Sequence, residues 1–308
     1  MTEHVTFRDY RPEDGRIITF GEPGALMNRL QLPEADAVVA EWHGEIVGYA
    51  VSWLAVVHRT RRFMNVEVAP DSRGRRIGSR LVAHLASRSR LPLATKAVEG
   101  SDAEAFIRAL GGSPYAVCPP LELPRRHFRK VVEELGEAND VVAASALSPG
   151  LAEHLWEQVY LWVHADWSPV ADTKEAQRTV RQEAGELDLD HTGITLVDGE
   201  PVAAAFVFDD PGAPTVVAET VAPDVPEGDV ALARAVSWVV EQAQERGVHR
   251  LAFDGHESDP HFGPLARRLP LEGARLMLLE LPLERALDAD RPHDTIAADE
   301  VRPTQRRP

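Results

Sequence analysis

"VEVAPDSRGRRIGSRLVAHL", residues 66–85, decides how the rest of the chain is read. An alternating apolar run ends at Pro70, and four of the next ten residues are arginines. Ile77, Leu81, Val82 and Leu85 then recur at helical spacing. The stretch predicts a strand, a glycine- and arginine-rich turn and an amphipathic helix. A helix start leaves backbone N–H groups unpaired at the positive end of the dipole, which favours an anion such as pyrophosphate. Arginines add charge-assisted hydrogen bonds. By charge alone, a solvated arginine face explains the cluster equally well.

Outward from this stretch, strand and helix signals alternate. "HVTFRDY" (4–10) reads as a strand. "RPEDGRIITFGEPGALMNRL" (11–30) reads as helix and loop, with Pro12, Glu13 and Asp14 in a first turn that favours acids. "DAVVAEWHGEIVGYAVSWLAVV" (36–57) is two strands around His43-Gly44-Glu45. After the amphipathic helix, "LPLATKAVE" (91–99) is a strand and "DAEAFIRALGG" (102–112) a helix stopped by glycines. "PYAVCPPLEL" (114–123) is a last strand region.

The second half repeats this order. "EWHGEIVGYAV" (41–51) is echoed by "LVDGEPVAAAF" (196–206), and "VAPD" at 68–71 recurs at 221–224. Each VAPD precedes an amphipathic helix and then a short strand, "LPLATKAV" (91–98) or "VHRLAFDG" (248–255). Matching order in matching context predicts an internal duplication. In the second copy, Pro226, Glu227 and Asp229 are read as standing where the first has Arg73, Gly74 and Arg76. Acids there repel a phosphate. The expected division is a first domain over 1–125, a charged connector over 126–139 and a second domain over 140–286. The tail, 287–308, is too poor in apolar residues to pack.

With 308 residues the chain can bury two cores. Its 49 Asp+Glu against 33 Lys+Arg give a formal net charge of -16, which argues against a general nucleic-acid binder. Cys118 is the single cysteine, so no intrachain disulfide and no multi-cysteine metal site can form. "MTEHVTFRDYRPED" lacks the pattern of a signal peptide, and no apolar run reaches membrane-spanning length. A cytoplasmic monomer or homodimer without a membrane or nucleic-acid partner is the expectation. In "LWEQVYLWVHADWSP" (155–169), Trp156, Tyr160, Trp162 and Trp167 read mainly as core, with His164 and Asp166 as pocket-lining candidates. "FDGHESDPHF" (253–262) reads as a polar loop, because His256 and His261 lack the i,i+4 spacing of a metal-binding pair.

The run V-x-P-x-x-R-G-x-x-I-G-S, residues 68–79, resembles motif A of the GCN5-related N-acetyltransferases (GNAT). The motif core is (Gln/Arg)-x-x-Gly-x-(Gly/Ala). Arg73 fills the first position and Gly78 the last, while Arg76 stands at the central glycine. The resemblance covers roughly residues 4–125. It implies an α/β fold class of two tandem GNAT domains, each a mixed, mostly antiparallel sheet flanked by helices, the second degenerate. It implies acetyl-CoA as cosubstrate, no metal, and a small-molecule primary amine that attacks the thioester directly. Val66 and Val68 would bind pantetheine, and Arg73, Gly74, Arg75, Arg76, Ile77, Gly78 and Ser79 the pyrophosphate. Arg76 would either crowd the phosphate or pair with it.

The acid and base do not follow the family pattern. Where many members carry a tyrosine after the phenylalanine of the later helix, this chain has Ile107, and Met64 and Arg62 occupy places used for a base. Glu67 and Tyr115 are the remaining candidates, with packing as the competing reading for each. Two alternatives stay open: a non-catalytic acyl-CoA-binding or sensing module, and an N-acyltransferase for a longer acyl-CoA.

Overall fold

The structure is a computed structural model and describes residues 4–289. Its first half runs β1 (Thr6–Asp9), α1 (Pro23–Arg29), β2 (Asp36–Trp42), β3 (Glu45–Leu54), β4 (Arg62–Val68), α2 (Ile77–Ala86), β5 (Leu93–Val98), α3 (Asp102–Ala109) and β6 (Ser113–Cys118). Next come β7 (Glu122–Pro124) and α4 (Phe128–Leu135). The second half runs β8 (Val141–Ala143), α5 (Leu151–Val163), α6 (Lys174–Ala184), β9 (Gly193–Val197), β10 (Glu200–Phe208), β11 (Thr215–Thr220), α7 (Gly228–Glu245), β12 (Arg250–Asp254), α8 (Phe262–Ala266), β13 (Leu276–Leu281) and α9 (Leu283–Asp288).

The duplication is visible in the backbone. His43-Gly44 and Asp198-Gly199 hold φ of 54° and 82°, and of 53° and 84°. Two successive positive φ values are what a two-residue hairpin turn requires, and they join β2 to β3 and β9 to β10. In each half all neighbouring strands pair antiparallel except one pair: β4 with β5, and β11 with β12. Those parallel pairs are bridged by the long helices α2 and α7. Helix α2 buries Ile77, Leu81, Val82 and Leu85 against Val38 and Met64 of the first sheet. Helix α7 covers one face of the second sheet, while α5 and α6 cover the other.

The halves exchange strands. The first sheet has the order β1-β2-β3-β4-β5-β13-β6, and the second β7-β12-β11-β10-β9-β8. Strand β13 pairs with β5 from Leu276↔Val98 to Leu281↔Leu93, so the end of the chain completes the first sheet. In return β7 joins the second sheet beside β12. Pro119 and Pro120 separate β6 from β7. Prolines donate no ladder hydrogen bond and hold the backbone extended, which carries the chain from one sheet to the other.

The boundaries read from the sequence therefore do not coincide with the sheets. Within 140–286, β13 and Ala286 of α9 pack into the first core. Within 126–139 lies α4, whose Phe128 and Val131 are buried in the second core. Phe128, Val131, Val132 and Leu135 make an apolar stripe at helical spacing, hidden in the sequence by the charges on the opposite face. Of the expected tail, Leu287 and Asp288 belong to α9, and 290–308 lie outside the described residues. Among the described residues, no helix is long and apolar enough to cross a membrane.

Candidate active site

Strands β4 and β5 pair only at Arg62↔Leu93 and Phe63↔Ala94. Beyond Phe63 they diverge, and a cavity of about 610 Å³ opens between them. Its walls are Met64 to Val68 of β4, Thr95 and Lys96 of β5, the turn before α2, and Phe106 and Ile107 of α3. The opening lies in the plane of the sheet, so consecutive β4 residues reach it although their side chains alternate. That is why Glu67 and Val68 both line it, although they lie on opposite faces of the strand.

The turn is built for close approach. Gly74 has φ of 73°, and no atom lies within 4 Å of where its side chain would be. Arg76 takes φ 60° and ψ 13° as the cap of α2, a left-handed conformation that costs a side-chain-bearing residue about 1 kcal/mol or more. A glycine would sit here without strain. Arg73 Nε donates to the Val68 carbonyl at 3.2 Å, and Arg76 Nη2 donates to the Ala289 carbonyl at 3.3 Å. Gly78 serves packing, because a Cβ there would come within 3.2 Å of Phe106.

Of the residues expected to bind the cofactor, Val66, Val68, Arg73, Gly74, Arg76, Ile77, Gly78 and Ser79 surround the cavity. Arg75 is not brought to it. Its guanidinium turns back over the Trp42 ring at 4.3 Å, exchanging a phosphate-facing position for a cation–π contact. Thr95, Lys96, Asp102 and Phe106 also line the cavity and were missed. The available signal was the parallel strand after α2, whose first residues must flank any splay.

Glu67 stands opposite Tyr49 in the β3–β4 register. Burial first, then the neighbouring Glu22 charge, pushes its carboxyl above the usual range, while Arg73 and Arg29 pull the other way. Gly21, at φ 67°, lets the chain pass, since a Cβ there would fall 2.7 Å from Glu67 Cγ. Tyr115 does not reach the cavity. It lies on β6, which β13 separates from β5. The Arg61 guanidinium sits 4.0 Å over its ring, and burial chiefly raises its pKa. Cys118 is buried beside Leu278, away from the cavity lining. Ile107, 3% exposed, contributes a hydrocarbon wall without an exchangeable proton.

The counterpart of the arginine turn in the second half is closed at the helix start. Pro223 to Glu227 is two residues shorter than Pro70 to Arg76, so Glu227 matches Arg76 and not Gly74 as the sequence alignment had it. Glu219 Oε1 accepts from Thr220 N at 2.8 Å and lies 2.8 Å from His261 Nδ1, while its Oε2 accepts from Phe262 N at 3.1 Å. The His261 ring fills the start of α7, where a Cβ on Gly228 would lie 2.9 Å from Nε2. Glu257 is paired with Arg275. No group of three or more His, Cys, Asp and Glu among the described residues is placed to hold a metal ion.

A mixed sheet splayed beside a helix cap, twice in one chain, defines the class of tandem acyl-CoA N-acyltransferase folds. Residues 6–111 match the acetyltransferase (GNAT) family model. That match covers 106 of the 308 residues and takes in all the walls of the cavity. In structure the chain is similar to a GCN5-related N-acetyltransferase from Sphaerobacter thermophilus, at 17% identity and a TM-score of 0.57, over 90% of this chain and 96% of that one. It is also similar to the GCN5-related glucosamine N-acetyltransferase region of a fungal multi-domain GH3 beta-N-acetylglucosaminidase, at 14% identity and a TM-score of 0.56. That match covers 91% of this chain and 38% of the other. A probable N-acyltransferase from Enterococcus faecalis matches at 11% identity and a TM-score of 0.52, over 93% and 75%. At these identities the likeness is one of fold. No curated protein matches the chain in sequence.

Proposed function

We propose that the chain is an acetyl-CoA-dependent N-acetyltransferase that acts on a primary amine of a small molecule in the first domain. The observation that carries this reading is Glu67, a carboxylate raised in pKa and exposed to the same cavity as the arginine turn. Arg73 and the N–H groups at the start of α2 hold the pyrophosphate, and the diverging edge of β4 offers backbone groups to pantetheine. The amine arrives as an ammonium ion and must lose a proton before it can attack. Glu67 takes that proton, directly or through a water. The nitrogen then bonds to the thioester carbon, the C–S bond breaks, and the proton still to be shed by that nitrogen passes to the leaving thiolate.

The alternative of acyl-CoA binding without turnover rests on Ile107, which offers no proton to that thiolate. Thiol release from acetyl-CoA against an amine panel, in wild type and Glu67→Gln, tests the proposal. Amine-dependent release that drops about a hundredfold or more in the variant supports it. Tight acetyl-CoA binding without release from any amine overturns it in favour of the binding module.

A further inference from the structure

The cavity between β4 and β5 reaches both faces of the sheet, and the strand register sorts its residues between them. The pairs Arg62↔Leu93 and Phe63↔Ala94, continued along the diverging strands, set Met64 level with Thr95 and Asn65 level with Lys96. Side chains alternate along a strand. Met64 packs with Leu93 and Ala97 into the core under α2. Asn65, Glu67 and Lys96 therefore belong to the opposite face. Tyr49, the cross-strand neighbour of Glu67, packs there beneath α1. Leu278, the neighbour of Lys96, packs there beside Tyr115 and Trp167. All three polar residues line the cavity.

Two opposite charges stand on that face without neutralising each other. Lys96 lies on the fifth strand of seven, yet its side chain is exposed, so no element packs over the sheet at that point. It makes no ion pair or hydrogen bond among the described residues, and neither does the Glu67 carboxylate. Glu67 stands two residues beyond the level of Lys96, roughly 6.6 Å along the strands and more than about 4.8 Å across them. The Asn65 amide, level with Lys96, also lacks a hydrogen-bond partner among the described residues.

The other charges nearby are spent or face elsewhere. Arg61 is held by Glu280 at 2.5 Å and by the Trp167 carbonyl at 2.7 Å. Arg29 turns its guanidinium over the Trp53 ring at 5.4 Å and does not line the cavity. Asp102 belongs to α3, which packs on the α2 side. What remains on the open face is one carboxylate and one ammonium, the complement of a molecule that carries both charges.

We propose that the acceptor is a primary amine bearing an acid group, an amino acid or an amino phosphate: its nitrogen at Glu67, its carboxylate or phosphate at Lys96 and the Asn65 amide. The inference rests on the transfer proposed at Glu67 and adds the substrate's second charge, which makes Lys96 a specificity-determining residue. The test compares γ-aminobutyrate with n-butylamine, and O-phosphoethanolamine with ethylamine, on the full chain. Binding is measured by calorimetry with CoA saturating, and turnover by thiol release from acetyl-CoA. The acid-bearing amine should bind and react about fivefold better than its partner, the upper end for a partly exposed ion pair. The pair with the larger ratio tells carboxylate from phosphate. Lys96→Gln should remove most of the difference, Lys96→Arg should keep it, and Lys96→Glu should turn the preference toward 1,4-diaminobutane. Binding of an acid-bearing amine that depends on Lys96, without thiol release from any amine, would refute the transfer and support the acid-bearing ligand. Thiol release indifferent to the acid group, in wild type and Lys96→Gln alike, would overturn this inference and leave the transfer standing. Two further results would overturn it: no binding of either acid-bearing amine, or Lys96→Gln losses equal for acetyl-CoA and every amine, which would assign the lysine to the cofactor.

Discussion

Arg76 and Glu227 occupy the same left-handed cap, with φ of 60° and 54°, at the start of the long helix in each half. One backbone device thus presents a cation in the first copy and an anion in the second. Behind Glu227 the His261 ring and the Glu219 carboxylate fill the approach to the helix start. Calorimetry should accordingly show one acetyl-CoA bound per chain. Two equivalent sites would contradict the closed geometry of the second copy.

The strain at Arg76 separates folding from binding. Arg76→Gly should raise stability toward denaturant by about 1 kcal/mol, because glycine adopts this conformation without penalty. The same change should weaken acetyl-CoA binding at low salt, because it removes a guanidinium from the cavity edge. Salt screens a partly exposed pair, so the loss should shrink as ionic strength rises. Unchanged or tighter binding at low salt would show that Arg76 only tolerates the glycine position.

Arg73 is held over the cavity by its bond to the Val68 carbonyl. Arg73→Ala should cost about 1.5–3 kcal/mol in acetyl-CoA affinity, the range for hydrogen bonds to charged groups. Pantetheine analogues without the pyrophosphate should hardly notice it. Equal losses for both ligands would assign Arg73 to holding the turn in shape.

Glu67 ties activity and stability to pH with opposite signs. A base must be ionised, so kcat/KM should rise with pH through a pKa above the ordinary glutamate value, and Glu67→Gln should remove that limb. Because the folded-state pKa is raised, the native protein binds more protons than the unfolded chain between the two values. Glu67 therefore favours the native state at low pH, and this contribution falls as pH rises through that window. Glu67→Gln should flatten the dependence and leave neutral-pH stability equal or higher. Loss of both activity and stability at neutral pH would mark Glu67 as structural.

Much of this was legible in local sequence. Periodicity located α2, and its cap and turn followed from Pro70, Gly74 and the arginines, because those signals act over a few residues. The matching turns at His43-Gly44 and Asp198-Gly199 were legible for the same reason. What stayed hidden was non-local. Nothing in "LMLLEL" (276–281) says which sheet it joins, since a buried strand reads the same in either. Arg75 was misplaced because charge does not show direction: Trp42, on a distant strand, claims its guanidinium. Tyr115 was misplaced because β13 intervenes between its strand and β5.

That intervening strand gives the strictest test of the architecture. Leu279 of β13 is fully buried and lies opposite Thr95, which lines the cavity between β4 and β5. Truncating a buried leucine costs about 2–5 kcal/mol, so Leu279→Ala should lower the denaturation midpoint by that equivalent. It should also weaken acetyl-CoA binding in the protein that remains folded, because β5 loses the neighbour that fixes its position beside β4. Val236, equally buried but in the core of the second domain, provides the control. Val236→Ala should destabilise without changing affinity. If Leu279→Ala lowers stability while binding is untouched, β13 closes the sheet without positioning the cofactor cavity. A fragment of residues 1–125, lacking β13 altogether, should then fold and bind acetyl-CoA; with β13 positioning β5, it should do neither.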